Sequence, residues 1–286
     1  MRRIPFRLVD VFAARPLAGN QLCVVPEAAS LDETTMQALA TEIGFSEITF
    51  VNQSGGQRYS MRIFTPVEEL PFAGHPTLGT AYVLVAEGRV TSPAVQTTRA
   101  GQVTVEVDVP RHVARMRQLT PTWEPELLDR DAVVAAVGLG AADLHPDFLP
   151  QVISTGLPHL IVPAAGTEVV GRARPDADRL KALLQRVGAA GLYLFALDSG
   201  GAKARMFYPG TRAAEDPATG SAAGPLGVYL ALRGTGGAPV TLTIRQGEEV
   251  GRPSVLHVEV SHEDDTWQVT VGGGVFIVGD GAFTLA

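Results

Sequence analysis

The chain has 286 residues, 45% hydrophobic and 19% charged, enough apolar material for one large core or two ordinary ones, which excludes disordered and fibrous classes. Twenty-three basic against thirty acidic side chains give a formal charge of -7 with no Lys/Arg-rich block, so no nucleic-acid partner is expected. The only cysteine, Cys23, excludes a disulfide framework, a thiolate metal cage and any two-thiol mechanism; with no signal-peptide-like run and no membrane-length apolar window, a cytoplasmic protein without a membrane partner is expected.

In chain order, residues 6–12 have strand composition, residues 15–20 are turn-forming, and Leu22-Cys23-Val24-Val25 reads as a second strand. Ser30-Leu31-Asp32-Glu33 fits a capping box, and Met36, Leu39, Ala40 and Ile43 follow at helical spacing until Gly44, which predicts a short amphipathic helix. Residues 45–51 are β-branched and aromatic, a strand covered on both faces in which Glu47 is the one ionisable side chain. A further strand over 59–64 leads through a loop at 65–76 into a helix over 77–87, with Pro76 at its start. That helix is apolar nearly all round and belongs inside a core. Alternation predicts a strand over 103–109, the region 123–140 reads as helical, and a second series of strands starts at 152–156. A second apolar helix covers 222–232 and closes at Gly234, and His262-Glu263-Asp264-Asp265 reads as a solvated turn between strands.

The second series echoes the first. Residues 156–162 resemble 19–25 at an offset of 137, and Pro217-Ala218-Thr219-Gly220-Ser221 resembles Pro71-Phe72-Ala73-Gly74-His75 at 146, against a half-length of 143. Each of the later segments follows a strand and precedes an apolar helix. The order and spacing predict two similar α+β halves, residues 1–118 and 119–286, each a mixed sheet around a central apolar helix. The last strand has the option of crossing back to the first half.

Several chemistries lack their residues. Lys181 and Lys203 sit in no phosphate loop or Schiff-base pattern, no strand leads into a GxGxxG turn, and the six histidines form no close ligand pair, so neither a cofactor nor a metal is expected. Gly220-Ser221-Ala222-Ala223-Gly224 has its serine one place early for a nucleophile elbow. What remains is acid/base chemistry. Glu47 in an apolar strand is either a hydrogen-bonded structural carboxylate or a general acid/base whose burial favours the protonated form. His75 beside Gly74 is either a packing histidine or a neutral polar group at a helix start, where the dipole disfavours imidazolium. Asp216 either caps the second helix or faces a ligand. Gly74 and Gly220 serve turn geometry or admit a ligand to the backbone, and two helix starts converging on one cleft would hold a small carboxylate.

Val9-Asp10-Val11-Phe12 with Gly19-Asn20, the segment 45–51, Glu69 to Thr77, Glu215 to Ala222, and Gln246-Gly247 with Gly251-Arg252-Pro253-Ser254 together resemble the PhzF-like phenazine-biosynthesis isomerase family. The match spans nearly the whole chain in order. The resemblance implies a diaminopimelate-epimerase-like fold, a homodimer, and a cofactor-free proton shift in a dihydro-hydroxyanthranilate-type carboxylate. It makes Glu47 the proton shuttle, with His75 and Asp216 assisting, and Asn20, Ser46, Gly74, Thr219, Gly220 and Ser221 binding substrate. Epimerases of this fold carry a cysteine at each helix start, where this chain has Ala73-Gly74 and Thr219-Gly220. Ile48 departs from the family's more usual Ser-Glu-Thr-Thr-Phe. A ligand-binding protein that kept the cleft without turnover is the alternative.

Overall fold

The computed structural model describes residues 2–98, 101–209, 215–235 and 239–285. They form two compact units, one of residues up to 117 together with those from 272 onward, the other of residues 118–271.

The first unit contains β1 (Arg2–Val11), β2 (Asn20–Val25), α1 (Glu33–Ile43), β3 (Glu47–Gly55), β4 (Arg58–Phe64), β5 (Glu69–Leu70), α2 (Gly74–Ala86), β6 (Ala94–Thr98), β7 (Gly101–Asp108) and β8 (Val113–Arg117). β1 lies antiparallel to β2 and to residues 275–285. β2 is parallel to β3, β3 antiparallel to β4, and β4 antiparallel to the short β5 and parallel to β6. β6, β7 and β8 continue antiparallel, and β8 pairs with the final strand, so the sheet closes on itself. Inside lies α2, packed against β1, β2, β3, β6, β7 and β8. Every residue from Gly74 to Leu84 is buried, because this helix has no polar face to give to water. α1 covers part of the outside with Met36, Leu39 and Ala40.

The second unit contains β9 (Thr122–Glu126), α3 (Arg130–Val137), β10 (Gln151–Ser154), β11 (Pro158–Pro163), α4 (Thr167–Arg172), α5 (Ala177–Val187), β12 (Gly191–Asp198), β13 (Gly201–Phe207), β14 (Glu215–Asp216), α6 (Gly220–Leu232), β15 (Val240–Gln246), β16 (Ser254–Glu263) and the start of β17 (Thr266–Leu285). Its pairings repeat those of the first unit. β10 and β11 are antiparallel, β11 and β12 parallel, and β12 and β13 antiparallel. β13 is antiparallel to the short β14 and parallel to β15, which is antiparallel to β16. α6 packs against β10, β11, β15 and β16, and matches α2 in having 13 residues and no polar face. α3, α4 and α5 build a separate apolar cluster around Leu180, Leu184 and Leu194. This is an α+β fold of mixed sheets with a buried helix in each unit.

Three local expectations change. Ser30 does not cap α1; the Asp32 carboxylate takes that place by accepting from the Thr35 amide at 2.8 Å. The region 123–140 is not continuously helical: Thr122, Trp123 and Glu126 pair with β10, which gives a strand before α3 begins. Both central helices start earlier than periodicity suggests, at Gly74 and Gly220, because apolar spacing does not register the small residues of a first turn.

Candidate active site

In the first unit the site is assembled by strand register. Leu22 pairs with Glu47, so Asn20, two residues earlier on β2, lies beside the segment that enters β3. The Ser46 hydroxyl donates to Asn20 Oδ1 at 3.4 Å, and the Asn20 amide donates from Nδ2 to His75 Nδ1 at 3.3 Å. With Nδ1 accepting, the ring proton belongs on Nε2. That nitrogen faces Glu47 Oε2 at 3.4 Å. Asn20, Ser46, Glu47 and His75 are therefore brought together, with Gly74 preceding His75 at the start of α2.

Glu47 is 17% exposed at its side chain, and its Oε2 is buried with no hydrogen-bond partner among the described residues. Burial pushes its pKa up to about 7, against the opposing pull of the Ser46 hydroxyl. A carboxyl with a narrow opening to solvent and a pKa near neutrality can both take and give a proton under physiological conditions. Cys23 lies fully buried in β2, where desolvation pushes its thiol up to about 12, so it supplies no thiolate.

His75 is the second residue of α2, whose N-cap, Ala73, has no side chain to accept a first-turn amide. The same holds at α6, where Thr219 makes no side-chain cap. The Thr219 hydroxyl instead donates to Asp216 Oδ2 and accepts from Gln246 Nε2 at 3.0 Å. Asp216 is thus not the cap of α6; of the first-turn amides, that of Ala222 donates to the Thr219 carbonyl at 3.1 Å, while those of Gly220 and Ser221 keep their capacity for an anion. The site residues of the second unit, Asp216, Thr219, Gly220 and Ser221, lie within one short segment at the entry to this helix, and Gln118 donates to the Gly220 carbonyl at 2.8 Å.

Several supporting residues were given no role by the sequence reading. Gln246, buried on β15, donates to the Asp216 carbonyl at 2.7 Å and accepts from the Thr219 amide at 3.2 Å and the Tyr193 hydroxyl at 2.9 Å. Gly247 behind it has φ +81, and a side chain there would sit 2.5 Å from the Pro217 carbonyl, so only glycine lets the two segments meet. Two arginine clasps fix the turns before the helices. Arg62 grips Glu69 at 2.7 and 2.6 Å and lies over Phe64, while Arg205 grips Glu215 at 2.8 and 2.6 Å and lies over Phe207. An Arg two positions before Phe in both halves was the signal that would have found them. His159 reaches Ser221 Oγ at 3.0 Å, although its sequence context is a plain apolar strand. Among the described residues no three His, Cys, Asp or Glu side chains converge as metal ligands, and no helix is long and apolar enough to cross a membrane.

The sequence and the fold have counterparts in known proteins. The chain is 35% identical over 283 residues to trans-2,3-dihydro-3-hydroxyanthranilate isomerase of Pseudomonas chlororaphis, covering 97% of this chain and 98% of that protein. A phenazine biosynthesis protein of the PhzF family from Bacillus anthracis superposes with a TM-score of 0.89 at 26% identity, over 100% of both chains. A structure described as a predicted epimerase from Pseudomonas aeruginosa superposes at 0.86 with 34% identity, over 99% of this chain and 100% of that one. Residues 9–281 match the PhzC-PhzF family, phenazine biosynthesis-like protein. By sequence over nearly its whole length and by fold, the chain belongs to this PhzC-PhzF family.

Proposed function

We propose that this protein is a cofactor-independent isomerase that moves a proton between two carbons of a small cyclic or amino-acid-like carboxylate. Glu47 takes the proton from one carbon as base, the electron pair shifts along the substrate, and the same carboxyl returns the proton to a second carbon as acid. His75 and Asp216 assist by orienting the substrate and meeting charge as it develops. Asn20, which contacts the His75 ring, binds substrate together with Ser46 and with Gly74 at the start of α2, and Thr219, Gly220 and Ser221 do so at the start of α6.

The observation that carries this reading is the Glu47 carboxyl, buried, near-neutral in pKa and 3.4 Å from His75 Nε2. The relative named as an isomerase of trans-2,3-dihydro-3-hydroxyanthranilate makes that compound the first substrate to try. Solvent deuterium uptake into it, followed by NMR, tests the mechanism. Glu47→Gln keeps size and shape but cannot shuttle a proton, so exchange should fall by about 10²–10⁴-fold or more while binding survives better. Equal exchange in wild type and variant would return Glu47 to a structural role. Binding without exchange in the wild type would make the protein a carboxylate-binding member without turnover. The family resemblance also supports a homodimer, and sedimentation showing only monomer at micromolar concentration would overturn that part.

A further inference from the structure

His159 is fully buried on β11, opposite Ile153 of β10 and Gly191 of β12. In the first unit the matching position is Leu22, paired with Glu47 as His159 is paired with Gly191. An aliphatic side chain therefore satisfies the packing of this strand, and the imidazole needs another reason. Its Nε2 lies 3.0 Å from Ser221 Oγ, while its Nδ1 is buried with no hydrogen-bond partner among the described residues. Tyr208 stands edge-on at 6.2 Å between ring centroids. Desolvation drives the pKa down to about 3, so the ring is neutral and has one proton for two nitrogens. A proton on Nδ1 would leave a buried N–H with no acceptor, whereas a proton on Nε2 leaves only an unused lone pair. Orphaned buried donors are the rarer of the two. The proton therefore sits on Nε2 and is donated to Ser221 Oγ, which turns the hydroxyl's own proton away from the ring.

We propose that His159 is a positioning residue that holds the Ser221 hydroxyl as a donor to the ligand carboxylate at the start of α6. Ser221 is the second residue of that helix, so its hydroxyl proton joins uncapped first-turn amides in one donor set. The inference rests on the reading of α6 as a carboxylate-binding element, but the tautomer of His159 does not.

Two measurements separate them. Long-range 15N–1H spectra of the labelled protein should show His159 Nε2 protonated and Nδ1 bare, with the Nε2 resonance moving in Ser221→Ala; a proton on Nδ1 overturns the role of His159. Calorimetric titration with 3-hydroxyanthranilate, the aromatic counterpart of the relative's named substrate, gives the second readout. His159→Leu and Ser221→Ala should each weaken binding on the order of 10-fold, and the double variant should be no weaker than either alone. His159→Gln, whose amide can still donate, should recover much of the loss. If His159→Leu is as stable as wild type and binds as tightly, the proposal fails. If it does not fold, Ser221→Ala and His159→Gln carry the comparison, and unchanged affinity in Ser221→Ala overturns it. A wild type that does not bind the probe removes the carboxylate reading together with the proposed function, while the tautomer still reports on His159 alone.

Discussion

Glu47 links function to stability with a sign opposite to that of most acids. Its folded pKa of about 7 lies above the ordinary value of 4.5, so the folded state holds its proton more tightly than the unfolded state does. The group is stability-neutral below about pH 4.5, lowers stability progressively as pH rises to about 7, and reaches its full penalty above that. A gap of this size corresponds to roughly 3 kcal/mol at pH 8. Glu47→Gln removes the titration. Thermal melts should therefore show the variant several degrees more stable than wild type at pH 8, with little or no gain at pH 4.5. A gain equal at both pH values would mean that the carboxyl is not the desolvated group described here. The same burial that lowers stability at neutral pH is what the proposed mechanism draws on for a carboxyl that serves as both base and acid, a trade common at functional sites.

The central helices show how tightly an element is tied to its surroundings. α2 approaches β1 and β2 so closely that a Cβ on Gly79 would lie 2.6 Å from Leu22 Cδ2 and 2.9 Å from Val11 Cγ2. In an exposed helix, Gly→Ala raises stability by up to about 1 kcal/mol through propensity. Here overpacking against two strand side chains should win, so Gly79→Ala is expected to destabilise by about 1–3 kcal/mol. Chemical denaturation of wild type and variant reads the sign directly, and a stabilised variant would show that β1 and β2 yield easily. Gly227 has the same relation to Val258 and Val260 in the second unit. The Arg–Glu clasps act at this scale too, since each anchors the segment that delivers a helix start. Arg205 and Glu215 are 6% and 11% exposed, against 23% and 27% for Arg62 and Glu69, so the second clasp is the more strongly desolvated.

At the scale of the whole chain, the first unit is discontinuous. Residues 275–285 pair with β1 from Val11 back to Arg2, and Phe283 packs on Phe6 with ring centroids 4.6 Å apart. A chain ending at Val271 would leave β1 with an unpaired edge and open the sheet that surrounds α2. Such a truncation should lose hydrogen-exchange protection across residues 74–86, because the apolar helix there depends on a closed wall. Native-like protection of that helix in the truncated chain would show that the remaining strands close without β17.

What the sequence by itself determined is local or periodic. The apolar character of α2 and α6 places them in cores, the echo of Gly74-His75 in Gly220-Ser221 marks equivalent helix starts, and a lone carboxylate in an apolar strand singles out Glu47. These follow from side-chain hydrophobicity and turn chemistry, which act over a few residues. Only the tertiary structure decided which residues meet. The parallel register of β2 on β3 sets Asn20 beside the entry to β3, and the packing of α2 on both strands brings His75 to Asn20 and Glu47, across 55 and 28 positions of chain. Trp123 lies in a strand because β10 supplies its hydrogen-bonding partner, and Asp216 is freed from capping because Gln246, thirty positions away, organises Thr219. His159 looks like one more residue of an apolar strand until the fold sets it against Ser221. Such contacts depend on register and on closure of the sheet, which no window of neighbouring residues encodes.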